Sequence, residues 1–170
     1  MTTHPRKLTL AALAAAFALT GSIAWAGEKI DFRDAPEAVR QTVDREIDRS
    51  VNRLEIKSLD GQTAYEAEYE IDDVDRAIWI GEDGTLLARA VEIRRSELPQ
   101  AVREAVLARY PGADIEDVDR LTLVPASGDA TQTPDVRYDV EIEIEQNGRE
   151  VERDLMITVN GTILSDELDD

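Results

Sequence analysis

Residues 138–145 read Y-D-V-E-I-E-I-E. Tyr138, Val140, Ile142 and Ile144 alternate with Asp139, Glu141, Glu143 and Glu145, the period of a strand with one buried and one wet face. An earlier stretch, residues 65–71 (Y-E-A-E-Y-E-I), carries the same pattern. Two amphipathic strands with acidic outer faces imply a duplicated unit, and the rest of the chain is read outward from them.

Upstream of the first strand pair, Asp34-Ala35-Pro36-Glu37 predicts a helix start, with Asp34 as N-cap, Pro36 in the first turn and Glu37 completing a capping box. Val39, Val43 and Ile47 recur every four residues, one stripe of a helix of about four turns. Strands are predicted at 53–59 and 64–71 around an Asp60-Gly61 turn, and at 77–80 and 86–93 around Asp83-Gly84. The order then begins again. Residues 98–106 (L-P-Q-A-V-R-E-A-V) align with 35–43 (A-P-E-A-V-R-Q-T-V) at an offset of 63. Val102, Val106 and Tyr110 repeat the stripe, and Pro111-Gly112 stops it. A strand at 115–124, a flexible loop at 125–134, and strands around Asn147-Gly148 and Asn160-Gly161 complete the second copy. The expected fold class is α+β: tandem α-β-β-β-β repeats, residues 27–95 and 96–170, forming one antiparallel sheet. Both helices are expected on one face, with the other face open to water.

Residues 1–26 read as a signal peptide. Arg6 and Lys7 precede an apolar run at 8–19, and Ala24-Trp25-Ala26 gives a small-x-small cleavage pattern, so the mature chain is expected to begin near Gly27. The run is shorter than the roughly 20 residues of a spanning helix. A periplasmic or secreted protein follows, with no membrane insertion after cleavage. Processing removes two of the 19 basic residues and none of the 37 acidic ones, taking the net charge from −18 to −20. That charge opposes nucleic acid as a partner.

The residues that carry the repeat resemble the PepSY-like family of exported bacterial proteins: L-P-x-x-V at 98–102, the acidic-aromatic strand at 138–144, and D/N-G-x-L/I-L turns at 83–87 and 160–164. The resemblance implies a fold similar to the tandem-repeat proteinaceous β-lactamase inhibitor, whose concave sheet grips its target. PepSY domains also occur in propeptides of secreted metallopeptidases, which implies inhibition or chaperoning of a peptidase. No catalytic residues are defined for the family.

The chemistry narrows by subtraction. His4 is the only His and there is no Cys, so past residue 26 no His- or Cys-based nucleophilic site or zinc site can be assembled. No cofactor is implied. Asp83-Gly84-Thr85 has the order D-G-T, and a hairpin turn explains it. Glu141 and Glu143 would stand roughly 7 Å apart on one strand face, inside the inverting-glycosidase window, but a wet face supplies no burial to raise a pKa. The reading is therefore non-enzymatic.

The candidate partner-binding residues are Trp79, Met156, Glu66, Glu68, Glu70, Asp139, Glu141 and Glu143. Alternation sends Ile78 and Ile80 to the core and Trp79 outward, with Met156 as its counterpart by turn alignment. An outward Trp near an outward Met, ringed by carboxylates, has the anatomy of a binding hot spot for a protein of the cell envelope. The plain alternatives are a Trp tucked under residues 72–76 or over a sheet edge, and an acidic face that only keeps the sheet soluble. A second functional reading is a Ca²⁺ binder or sensor using the same carboxylates.

Overall fold

The computed structural model describes residues 27–125 and 133–168. The expected signal peptide, most of the 125–134 loop and the last two acidic residues lie outside the described residues. The chain runs β1 (Lys29–Asp31), a 3-10 turn (Phe32–Asp34), α1 (Glu37–Glu46), β2 (Arg53–Leu59), β3 (Gln62–Ile71), β4 (Val74–Gly81) and β5 (Leu86–Glu92). A second 3-10 turn (Arg95–Glu97) leads to α2 (Gln100–Arg109), β6 (Asp114–Leu123), β7 (Val136–Gln146), β8 (Arg149–Thr158) and β9 (Ile163–Leu168). All nine strands form one antiparallel meander in chain order.

The expected α+β class is corrected by this content. Strands take 53% of the described residues, against two ten-residue helices, and the sheet curls into a half-barrel, so the fold is β-rich. The physical reason is that each helix is only about three turns, and the capping expected at Asp34 does not form. Asp34 lies in the 3-10 turn, and Pro36 stands at the N-cap without a side-chain hydrogen bond. The strands, by contrast, extend beyond the apolar cores visible in the sequence, because two-residue turns at Asp60-Gly61 and Asn147-Gly148 hold left-handed φ and keep the ladders paired to their tips.

One face of the sheet carries both helices. Val39, Val43 and Ile47 pack on Leu54, Ile56, Tyr65, Ile78 and Ile80, and Leu98, Val102 and Val106 pack on Tyr138, Val140, Ile142, Leu155 and Ile157. Two glycine turns lock the helices down. A Cβ on Gly84 would stand 2.7 Å from the Ala38 carbonyl oxygen, and one on Gly161 would stand 2.6 Å from that of Ala101. Ala38 and Ala101 are 63 residues apart, the offset of the sequence alignment. Thr42 adds a hydrogen bond from its hydroxyl to the Gly84 carbonyl, 2.7 Å.

The other face is not open. Leu59, Ala64, Ala77, Trp79, Ala88, Ala90, Leu121 and Met156 form their own buried cluster there. The alanines explain the curl: small side chains on β3, β4 and β5 let the strands bend toward one another over a floor with little to displace. Bulges at Trp79/Ile80, Ile115/Val118 and Met156/Ile157 sharpen the bend.

Candidate functional site: a carboxylate-lined cleft on the concave face

The curl carries β2 across to β8. Lys57 Nζ lies 2.9 Å from Glu55 Oε1 and 3.0 Å from Asp154 Oδ2. The β2–β3 turn is similarly tied to β7, where Arg137 makes two bonds to the Asp60 carboxylate at 2.7 and 3.1 Å. These contacts enclose a cleft of about 350 Å³ lined by Glu55, Glu66, Glu68, Asp75, Glu92, Asp117, Asp119, Asp139, Glu141 and Asp154, with Lys29, Lys57, Arg76 and Ala77. A smaller cavity beside it is lined by Trp79 and Met156 together with Gly27, Ser165 and Glu167, and shares Lys57, Asp139 and Asp154 with the cleft.

Strand register explains the crowding. Glu55 is paired with Glu66, Glu92 with Asp119, and Asp119 with Asp139. Like charges directly opposed across strands repel, and here burial strengthens the repulsion. Glu66 is 4% exposed. Burial first, and then the Asp139 and Asp119 charges, push its pKa up to about 8, against the opposing pull of Lys57 and the Trp79 hydrogen bond. Asp139 is pushed up to about 7 by burial and by Asp154, Asp119 and Glu55, again opposed by Lys57. Burial, Glu92 and Glu68 raise Asp119 to about 6. Burial alone would lower the Lys57 pKa, but Asp139, Glu66, Asp154 and Glu55 hold its ammonium well above the ordinary lysine value. The cleft therefore holds more negative charge than Lys57 can balance, and protons make up part of the difference near neutral pH.

The predicted residues divide. Trp79 and Met156 do share the face away from the helices, but the expectation that they stand exposed is corrected: they are 1% and 4% exposed. The curl roofs them over, and the Trp79 indole N–H donates to Glu66 Oε1 at 2.7 Å. Glu66, Glu68, Asp139 and Glu141 line the cleft. Glu70 is exposed and is not among its lining residues. Glu143 borders a separate shallow depression with Asp114 and Glu150, where the Glu150 charge foremost raises its pKa.

Lys57, Glu55, Asp119 and Asp154 were not predicted as site residues. A signal for them existed. The runs Ala77-Ile78-Trp79-Ile80 and Leu155-Met156-Ile157 are apolar on both strand faces, the mark of strands buried on both sides. Arg137 and Arg153 pair away from the cleft: Arg137 with Asp60 and Asp135, and Arg153 with Asp166. One oxygen from each of Glu55, Glu66 and Glu68 falls within 4.8 Å of the others, a spacing open to a metal ion. Among the described residues no helix is long and apolar enough to cross a membrane.

No family model matches the chain, and no curated protein matches it. Solved structures do resemble it. A periplasmic-protein candidate from Bacteroides eggerthii is 17% identical with a TM-score of 0.46, covering 79% of this chain and 88% of that one. A DUF2874 family protein from Bacteroides uniformis gives 17% and 0.46, covering 79% and 89%. A BLIP-like protein from Bacteroides fragilis gives 17% and 0.43, covering 79% and 86%.

Proposed function

We propose that the protein is a non-enzymatic binding module of the periplasm that takes a cationic group of a protein partner, a Lys or Arg side chain, into the concave cleft. One observation carries this reading: ten of the fourteen residues lining the cleft are carboxylates, and they converge on a space of about 350 Å³. A half-closed site in which carboxylates far outnumber cations draws positive charge and raises its encounter rate. Export is supported by the leader pattern of residues 1–26, and the PepSY-like motifs place a peptidase or another envelope protein among the candidate partners. The contact differs from an exposed Trp79 hot spot. Here Trp79 and Met156 are buried beside the cleft, and the Trp79 N–H holds the Glu66 carboxylate of its wall. The test is titration of the exported protein with a short Arg-rich peptide, followed through Trp79 emission. Saturable binding weakened by Asp139→Asn supports the reading, and an inert emission with no measurable binding defeats it.

A second reading, a Ca²⁺ site, is favoured by the convergence of Glu55, Glu66 and Glu68. Three carboxylates leave room for waters in a shell of 6–8 oxygens. It predicts a Ca²⁺-dependent rise in melting temperature that Glu68→Gln removes.

A further inference from the structure

We propose that cleavage after Ala26 adds an internal cation to the seam of the half-barrel: the α-ammonium group released at Gly27, on the chain that leads into edge strand β1 along β2, clasps that side of the curled sheet to β9. The inference rests on the leader reading given under Proposed function and on a separate geometric observation. The Gly27 nitrogen donates to the Ile56 carbonyl at 2.7 Å, and the Ile56 nitrogen donates to the Glu28 carbonyl at 2.9 Å, so the backbone at 27–28 is tied to β2 on both sides. Gly27 also lines the smaller cavity, in company with Asp139, Asp154, Ser165 and Glu167. The chain is thus fixed at the point where the first and last strands approach each other.

Processing changes the chemistry of that nitrogen. In the unprocessed chain it is a neutral amide whose single hydrogen is committed to Ile56. When water adds across the Ala26–Gly27 peptide bond, Ala26 leaves as a carboxylate and Gly27 becomes an ammonium with three hydrogens and a full positive charge. One hydrogen keeps the Ile56 bond, and two are free for the cavity.

The charged groups that line this cavity come from four strands: Lys57 of β2, Asp139 of β7, Asp154 of β8 and Glu167 of β9. Glu28, and then Lys29 at the start of β1, follow Gly27 in the chain, and Glu55 of β2 lies against Lys29 and Lys57. Lys57 is engaged by Glu55 and Asp154, and the carboxylates outnumber the lysines. β9 is a firm anchor because Asp166 accepts from the Tyr110 hydroxyl at 2.7 Å and from Arg153 Nε at 2.7 Å on the helix-bearing side. Glu167, the next residue, falls on the opposite strand face, toward the cavity.

The test exports the full chain from a bacterial host, reads its N-terminus by intact mass, and measures the α-amine pKa by trace acetylation across pH. The expected result is a Gly27 start with an amine about one unit or more above the usual 7.7–8.0, returning toward that range in Glu167→Gln and in Asp154→Asn. A Gly27 start with an ordinary amine pKa, or a raised one unmoved in both variants, overturns the clasp and leaves the export reading standing. A product that keeps residues 1–26 overturns both.

Discussion

Lys57 Nζ sits 3.0 Å from Asp154 Oδ2, although the two residues are 97 positions apart in sequence and five strands separate β2 from β8 in the sheet. A flat nine-stranded sheet could not bring them together. The pair therefore records the curl, and the curl turns two acidic strand faces into one cleft.

Removing Lys57 should expose how much negative charge it balances. Lys57→Met leaves Asp154 without its ammonium and Glu55 with only Lys29, 3.7 Å away, and deprives Glu66 and Asp139 of the one group that lowers both. Breaking a fully buried pair costs about 3–5 kcal/mol, and this pair is partly buried, so the loss should lie at or below the lower end of that range. Urea denaturation should show that loss at pH 8 and a smaller one at pH 5, where the cluster carries more protons. Adding Asp154→Leu to Lys57→Met should recover part of the stability, because the stranded charge is then gone.

Stability should fall as pH rises from about 5 to 8. Glu66 and Asp139 have folded pKa values raised to about 8 and about 7, above the ordinary 4.5 and 3.8. Between those limits the folded chain binds more protons than the unfolded one, so stability declines with pH and levels off above the folded values. At the acid end, Asp166 and Glu46 are held low by their Tyr and Arg partners and lose that contribution as they protonate. Melting temperature against pH should thus peak near pH 5. Glu66→Gln should keep an acceptor for Trp79, flatten the curve and raise the melting temperature at pH 8.

Trp79 should behave as a core residue. Its ring is buried against Met156, Leu121 and small alanines, so Trp79→Ala should cost about 3–5 kcal/mol in urea denaturation. Trp79→Phe should cost less, since it mainly leaves Glu66 without its donor, worth about 1–3 kcal/mol. Trp79 is the only Trp after residue 25, so its emission should be blue-shifted in the native protein.

The glycine turns should differ sharply in tolerance. Gly84→Ala and Gly161→Ala meet a helix carbonyl at 2.7 and 2.6 Å in a left-handed backbone, and should lose roughly 2 kcal/mol or more. Gly148→Ala meets nothing within 4 Å, and should pay only the conformational penalty of about 1 kcal/mol. Melting temperatures of the three variants decide this.

Much of the strand order was legible because alternation and Gly turns are local signals. β2 falls on the expected 53–59, and Tyr138, Val140 and Ile142 do face α2. Helix ends were less legible, since Pro36 and Asp34 both fit a first turn and only packing decided between them. β1 has three residues, too few for a period to register. The site was half legible. Glu66, Asp139 and Trp79 could be placed on one face, but whether that face was wet depended on curvature, which Ala64, Ala77, Ala88 and Ala90 encode only jointly. Lys57 was illegible as a counter-ion, because its partner Asp154 is brought to it by the sheet as a whole.

The most direct test of the acidic cleft as a binding site is calorimetric titration of the exported protein with an Arg-rich peptide at pH 7 in two buffers of different ionisation enthalpy. A cation entering the cleft lowers the pKa values of Glu66 and Asp139, so binding should release protons, should weaken with salt, and should lose both the proton release and most of its affinity in the Glu66→Gln/Asp139→Asn double variant. Binding with no proton release, or with full affinity in the double variant, would contradict the account.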